Sequence, residues 1–270
     1  MKHMKKIFIT LAVAVMALTS CTQKKALVLY YSETGTTEKV ALEIQRQTGA
    51  DIEKIEPEVP YTGNFQETAQ RGGREMRSGE LPELKPLKSK LDKYDVVFIG
   101  YPIWFGTYAM PIATLLKDNP FEGKTVVPFC TFGSGGLNES SDAIRKVLPK
   151  ANVLAGYGVR TARVEHAAEE LDRFLKESGL KEGTVEKLPE YGEDQAITPD
   201  DSIVFAKACS GYQFPLGTPV SVAKRTTDES DDYRFVAVTR GMDGQQNTSV
   251  VYVTVGKAEG SQPEFTQVVR

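Results

Sequence analysis

Runs of apolar residues rich in valine recur along the first 160 positions, and patterns of helical period separate them. Four of the runs show no polar alternation, which is typical of parallel strands covered on both faces. They are ALVLYY (26–31), DVVFIGY (95–101), TVVPFC (125–130) and ANVLAGY (151–157). A weaker run, DIEKI (51–55), is typical of an edge strand. This order predicts an α/β fold with a doubly wound, five-stranded parallel sheet.

The helical patterns between these strands differ in strength. The clearest is an apolar stripe from Val164 to Leu175, and another at about 64–78 is weakened by Gly72 and Gly73. Shorter patterns begin at Val40, Met110 and Ile144.

Composition excludes several classes of function. The net charge of −3 and the 40% apolar content indicate an ordinary globular chain without the basic surface that nucleic-acid binding requires. The two histidines and three cysteines have no metal-ligand spacing, and no catalytic triad is recognisable.

The first 21 residues have the pattern of a targeting segment. Three lysines precede a twelve-residue apolar stretch, Ile7 to Leu18, and the segment ends in LTSC at Cys21. This ending resembles the bacterial lipobox, which implies cleavage before Cys21, lipidation of Cys21 and a membrane-anchored, exported protein facing the periplasm. The alternative is a plain secretory signal with an incidental cysteine.

A cluster of hydroxyls and glycine follows the first strand in SETGTT. Ser32, Thr34, Thr36 and Thr37 offer donors, and Gly35 allows the backbone to bend closely around a ligand at the start of a helix. The sequence contains no GxxxxGK[ST] motif, so this turn favours a phosphate monoester over a nucleoside triphosphate. Helix capping by serine and threonine is the alternative.

SETGTT also fits the [ST]-x-T-G-x-T phosphate loop of the flavodoxin family, which the chain resembles over about residues 26–178. The resemblance implies an FMN cofactor, the strand order 2-1-3-4-5 and a short-chain form. It adds Glu33 to the phosphate loop.

Two further loops support the resemblance, each directly after its own strand. The second, GYPIWFGTYAMP (100–111), corresponds to a loop that wraps the flavin ring in the family, and Trp104 has a broad π face for that purpose. The third, TFGSGGLNES (131–140), offers backbone amides to the pyrimidine edge of the flavin. Their alternatives are core packing and a glycine-rich turn capped by Asn138 or Ser140. The cofactor-binding candidates here are Pro102, Ile103, Trp104, Phe105, Gly106, Thr131, Phe132, Gly133, Ser134, Gly135 and Gly136.

The rest of the chain predicts a second domain. A flavodoxin-like domain at 22–180 is followed by a polar linker at 181–199 and by a small α+β domain at 200–270, a helix plus an antiparallel meander. No motif in the meander carries chemistry, which favours a role in docking or folding support. Cys130 and Cys209 fall in different domains and are expected to be unpaired.

Three functions remain open at this point. The first is a membrane-anchored flavodoxin-like protein that binds FMN and passes electrons to or from a partner or small acceptor. The second is an FMN-dependent reductase of quinone-type molecules. The third is a scaffold or binding lipoprotein without redox activity.

Overall fold

The structure is a computed structural model that describes residues 24–61, 64–214, 216–240 and 245–269. Cys21 lies outside these residues, and so does Asp243-Gly244, a dipeptide that predicts a turn between two strands of the meander. Within them the chain forms two sheets, one mainly parallel and one antiparallel.

The first sheet has the predicted order and hydrogen-bonding direction. Its strands lie in the order β2-β1-β3-β5-β6, with β7 beside β5 and a short β4 turned back on β3. The pairs within β2-β1-β3-β5 and those of β5 with β6 and β7 are parallel. The strands are β1 (Ala26–Tyr30), β2 (Asp51–Lys54), β3 (Val96–Trp104), β4 (Thr107–Tyr108), β5 (Thr125–Phe132), β6 (Asn152–Val153) and β7 (Tyr157–Arg160).

Five helices cover this sheet, and apolar side chains fill the space on both of its faces. Gly72 and Gly73, which weakened the second helical pattern, are buried within a regular helix. The helices are α1 (Thr36–Thr48), α2 (Phe65–Ser78), α3 (Met110–Asp118), α4 (Leu137–Val147) and α5 (Ala167–Glu177). A 3-10 turn, Thr161–His166, precedes α5, so Val164 lies in that turn and not in the α-helix.

The predicted fifth strand at 151–157 is wrong as a single strand. It is divided into β6 and β7, and both parts pair with β5. The division lies opposite Pro128, which has no N–H to donate to a neighbouring strand. Gly156 accompanies the break, because a Cβ atom there would lie 2.8 Å from the carbonyl oxygen of Pro128. The second part therefore extends to Arg160.

The second sheet is antiparallel, in the order β12-β11-β10-β9-β8, and α6 packs on it. Its four longer strands confirm the predicted meander, and β8 adds a fifth strand from within the segment predicted as a linker. The elements are β8 (Gln195–Ala196), α6 (Pro199–Cys209), β9 (Thr218–Thr226), β10 (Ser230–Arg240), β11 (Gln246–Gly256) and β12 (Glu264–Val269). Both Cys130 and Cys209 are free thiols, as expected.

Candidate functional site

All three candidate loops lie at the carboxyl edge of the parallel sheet. They follow β1, β3 and β5, three strands that are neighbours in the order β1-β3-β5. In open α/β sheets this edge is where ligands bind, near the point at which the strand order reverses. Here the reversal lies at β1, from which the chain runs outward to β2 before it crosses to β3.

The phosphate loop after β1 has a left-handed turn at the start of α1. Gly35 is the N-cap residue with φ 83°, and its own side-chain position has no neighbour within 4 Å. The hydroxyl of Ser32 accepts a hydrogen bond from the Glu38 amide at 3.2 Å. The Thr34 and Thr36 hydroxyls lie 3.3 Å apart. Ser32 thus caps one amide of α1, as the capping alternative predicts. The hydroxyls of Thr34 and Thr36 lie nearer the surface of the loop.

Two hydroxyl contacts tie the loops and helices of this edge together. The Thr37 and Thr131 hydroxyls are 2.8 Å apart and buried, and they join the start of α1 to the end of β5. The Tyr101 hydroxyl donates to the Ser140 hydroxyl at 3.2 Å and joins β3 to α4. The first contact fixes the phosphate loop relative to the third loop, and the second fixes β3 relative to α4.

The second loop is a tight hairpin and not an extended loop from residue 100. Pro102, Ile103 and Trp104 still belong to β3, and the chain turns at Phe105 and Gly106 before it enters β4. Both turn residues have positive φ, 52° and 80°, as a two-residue hairpin with a type I′ turn requires. The Phe105 side chain is 53% exposed.

Trp104 is half-buried and packs edge-on against two tyrosines. Its ring centroid is 5.7 Å from that of Tyr31 and 5.0 Å from that of Tyr61. Its other neighbour is α2, because a Cβ atom on Gly72 would lie 3.1 Å from Trp104 Cε3. The buried glycine therefore gives the indole its room. Trp104 packs against the apolar core, and its contact with the flavin stays a prediction.

Sequence reasoning missed Tyr31, Tyr61 and Arg71 as parts of this site. The Tyr31 hydroxyl donates to the Glu33 carboxylate, and the Tyr61 hydroxyl donates to the Glu75 carboxylate. Burial, followed by these carboxylate bonds, raises the pKa of both tyrosines well above the ordinary value, so both remain protonated donors. The one signal was Gly72 and Gly73, since small residues on an inward helix face indicate a bulky neighbour.

Arg71 packs against Tyr61 and pairs with Glu75. Its guanidinium lies 3.9 Å from the centroid of the Tyr61 ring and its Nε donates to Glu75 at 2.8 Å. Nη1 also donates to the carbonyl oxygens of Val59 and Pro60. The segment before α2 is thereby fastened to the helix beside Trp104.

The third loop begins later than predicted, because Thr131 and Phe132 are the buried end of β5. Gly133, Ser134 and Gly135 then lead to Gly136, the N-cap of α4 with φ 115°. The expected caps, Asn138 and Ser140, lie inside the helix instead. Two features of this position require glycine. The backbone of Gly136 is left-handed, and a Cβ atom there would lie 2.8 Å from the Ile103 side chain.

A separate cleft of about 750 Å³ lies between the two domains. Its lining comes from Leu137, which follows the third loop, from the segment between Gly156 and Arg173, from Leu188 and Tyr191, and from the second sheet with its turns. Its arginines are engaged by carboxylates, as in Arg163 with Glu170 and Arg225 with Asp232. No group of metal-ligating side chains occurs in the described residues.

The sequence profile described as Flavodoxin matches residues 25–176, more than half of the chain. The chain belongs to the flavodoxin family. The second sheet lies outside the matched region, and the search of curated proteins found no match.

Solved structures align with about half of this flavodoxin. A candidate flavoprotein from Bacteroides uniformis ATCC 8492 is 30% identical, with a TM-score of 0.50, over 55% of this chain and 98% of the other. One from Bacteroides eggerthii DSM 20697 is 32% identical, with a TM-score of 0.48 and the same coverage. A flavoprotein from Lactobacillus acidophilus NCFM, solved in complex with FMN, is 25% identical with a TM-score of 0.46, over 54% and 99%.

The hydrogen-bond donors at the start of α1 suit a ligand that carries a phosphate group better than one without a phosphate. The amides of Thr36 and Thr37 at the start of α1 have no acceptor in the described part of the chain, and the Thr34 hydroxyl lies 3.3 Å from the Thr36 hydroxyl. Such a set of free amides and hydroxyls at a helix N-terminus is suited to a phosphate dianion. Trp104, which is partly exposed, supplies aromatic surface for the remainder of a ligand, and the buried Tyr31 ring packs against its edge beside the phosphate loop.

Proposed function

We propose that this protein binds FMN at the carboxyl edge of its parallel sheet and passes electrons between the flavin and a partner protein or a small acceptor. Membership of the flavodoxin family is the observation that carries the proposal. It is supported by the Thr37–Thr131 hydrogen bond, since that bond holds the phosphate loop next to the third loop. The bound flavin supplies the redox chemistry.

The roles of the chain's own residues follow from their chemistry. The hydroxyls of Thr34 and Thr36 and the free amides of α1 hold the phosphate. Trp104 borders the flavin ring with the indole that Tyr31 and Tyr61 keep in place. The carboxylates of Glu33 and Glu75 accept hydrogen bonds from the hydroxyls of Tyr31 and Tyr61.

Purification and reconstitution test this proposal. We expect the full-length protein to be yellow, or to become so when the apoprotein is mixed with FMN, with one FMN bound per chain by absorbance titration. Bound flavin should be reduced by dithionite and reoxidised by an added electron acceptor. A folded apoprotein that takes up no flavin would support the scaffold function instead.

We further propose that Cys21 carries a lipid anchor that holds the protein on a bacterial membrane, facing the periplasm. The support is the charged and then apolar start of the chain, which ends in LTSC. Among the described residues, no helix is long and apolar enough to span a bilayer.

Detergent phase separation tests the anchor. We expect the protein expressed in a bacterium to enter the detergent-rich phase, and Cys21→Ala to move it to the aqueous phase, because a lipidated cysteine contributes about 0.8 kcal/mol per buried methylene. Cys209→Ala is the control, since it removes a different cysteine and should leave partitioning unchanged. A Cys21→Ala chain that still enters the detergent phase would contradict the proposal.

A further inference from the structure

The last strand of the second domain lies directly on the third loop of the candidate site. The amide of Val268 in β12 donates to the carbonyl oxygen of Ser134 at 2.8 Å. The approach is so close that a Cβ atom on Gly135 would lie 2.2 Å from the Val268 carbonyl oxygen. This contact is made by a part of the chain that the family match does not include.

Arg160 makes a second connection between the same loop and the second domain. Its Nε donates to the carbonyl oxygen of Gly133 at 2.8 Å, and its Nη1 donates to the carbonyl oxygen of Phe265 at 2.6 Å. The guanidinium also lies 4.1 Å from the centroid of the Phe265 ring. One side chain at the end of β7 thus bonds simultaneously to the loop and to β12.

Further contacts hold the second domain in this place. Arg163, only 13% exposed, donates to Glu264 of β12 at 2.8 Å while it also pairs with Glu170 of α5. At the far side of the cleft, Arg173 and Glu229 form a weaker pair at 3.6 Å. Glu264, the partner of Arg163, directly precedes Phe265. The Arg163–Glu264 pair therefore holds β12 close to the third loop.

Peptide geometry gives these bonds a consequence for the loop. The C=O and N–H of a trans peptide point in opposite directions. The carbonyls of Gly133 and Ser134 are bonded to Arg160 and β12, so the next amides in the chain, those of Ser134 and Gly135, are turned the other way. In the described part of the chain these two amides have no acceptor. They are therefore available to a ligand with carbonyl oxygens.

We propose that the second domain is a positioning element for the flavin: through Arg160 and Val268 it orients two consecutive peptides so that the amides of Ser134 and Gly135 are offered to the pyrimidine carbonyls of the isoalloxazine. The inference rests on the proposed FMN function. It makes Arg160 a positioning residue, which acts through the loop and not by contact with the cofactor. It also gives the second domain a task at the site.

Substitution of Arg160 tests the inference in the full-length protein. Arg160→Met keeps an apolar stem but removes both hydrogen bonds. We expect FMN and riboflavin to bind about tenfold more weakly, the loss expected for one well-aligned hydrogen bond. The loss should be equal for both ligands because their ring systems are identical. Arg173→Met, which removes an interdomain contact away from the loop, is the control and should leave both affinities unchanged.

Amide NMR gives a second readout that does not depend on affinity. FMN should shift the Ser134 and Gly135 amide resonances strongly in the unaltered protein, and in Arg160→Met these shifts should shrink. Arg160→Lys retains a charged donor with one bond in place of two and should recover part of the shift. Suppose that Arg160→Met leaves the affinities for FMN and riboflavin unchanged, together with the FMN-induced shifts of the Ser134 and Gly135 amides. The second domain then does not position the loop.

A pair of glycine substitutions decides the question should Arg160→Met fail to fold. Gly135→Ala places a methyl group against Val268 and should displace β12, whereas in Gly192→Ala, away from the three loops, the added Cβ atom lies at an ordinary 3.4 Å from the Lys224 carbonyl oxygen. We expect weaker flavin binding for Gly135→Ala alone. Equal affinities in the two variants would overturn the inference. A failure of the proposed function is distinguishable, because the unaltered protein would then bind no flavin.

Discussion

Replacing Gly35 with valine is expected to weaken FMN binding on the order of 100-fold, while riboflavin binding changes little. Gly35 has φ 83° at the start of α1, a conformation that a β-branched residue adopts only with strain. The strained turn would withdraw the amides and hydroxyls that hold the phosphate, and two charge-assisted hydrogen bonds are worth about 3 kcal/mol or more. Riboflavin has no phosphate to lose. Isothermal titration of the apoprotein with each ligand measures the difference.

Gly49→Val is a matched control for this substitution. Gly49 ends the same helix, also has a left-handed backbone (φ 69°), and likewise has no neighbour within 4 Å of its Cβ position. Both variants should therefore lose similar stability in thermal unfolding, but only Gly35→Val should lose FMN. Equal FMN affinities in the two variants would show that the phosphate does not bind at this turn.

The electrostatic part of the same site can be tested at Thr34. Thr34→Glu places a carboxylate beside the Thr36 hydroxyl, where the phosphate dianion is expected, and repulsion should weaken FMN binding strongly. Thr34→Gln has nearly the same shape without the charge and should cost much less. A loss of the same size in both variants would point to sterics and not to a phosphate.

Trp104 should report flavin binding through its own fluorescence, because it is the only tryptophan of the chain. If the indole borders the isoalloxazine, FMN should quench most of its emission, and removal of FMN should restore it. Trp104→Phe should then weaken FMN and riboflavin about tenfold and shift the flavin absorption bands, since part of the aromatic overlap is lost.

A core aromatic provides the comparison for Trp104→Phe. Phe121 belongs to the same apolar cluster and is fully buried, but it lies after α3 and away from the three loops. Phe121→Leu should lower stability by about 1 kcal/mol without a change in flavin affinity or spectrum. A folded Trp104→Phe protein that behaves like Phe121→Leu would remove Trp104 from the site.

The parallel sheet and the places of the three loops could be predicted because their signals are local. A run such as 26–31 carries its own valine-rich pattern, and its hydroxyl-rich turn lies directly after it. The hairpin after β3 was harder to predict. Phe105 is a bulky residue with positive φ, and sequence rules reserve such positions for glycine or asparagine.

Long-range contacts account for the rest of what sequence reasoning missed. The bond from Val268 to Ser134 joins residues far apart in the chain, and neither segment has a pattern that depends on the other. The same holds for Tyr61 beside Trp104. The break between β6 and β7 has a signal in Pro128, but that signal lies in the neighbouring strand and has meaning only after the strands are paired.

The direction of β1 determines how a tethered molecule would face its surroundings. The strand begins at Ala26, a few residues after Cys21, and it ends at Tyr30 just before the phosphate loop. Its five residues span about 17 Å. A protein held at Cys21 would therefore rest the amino edge of its parallel sheet against the lipid headgroups and present the proposed flavin site on its distal side. Donors and acceptors would then have to arrive from the aqueous compartment, and a quinone dissolved in the bilayer would be out of reach.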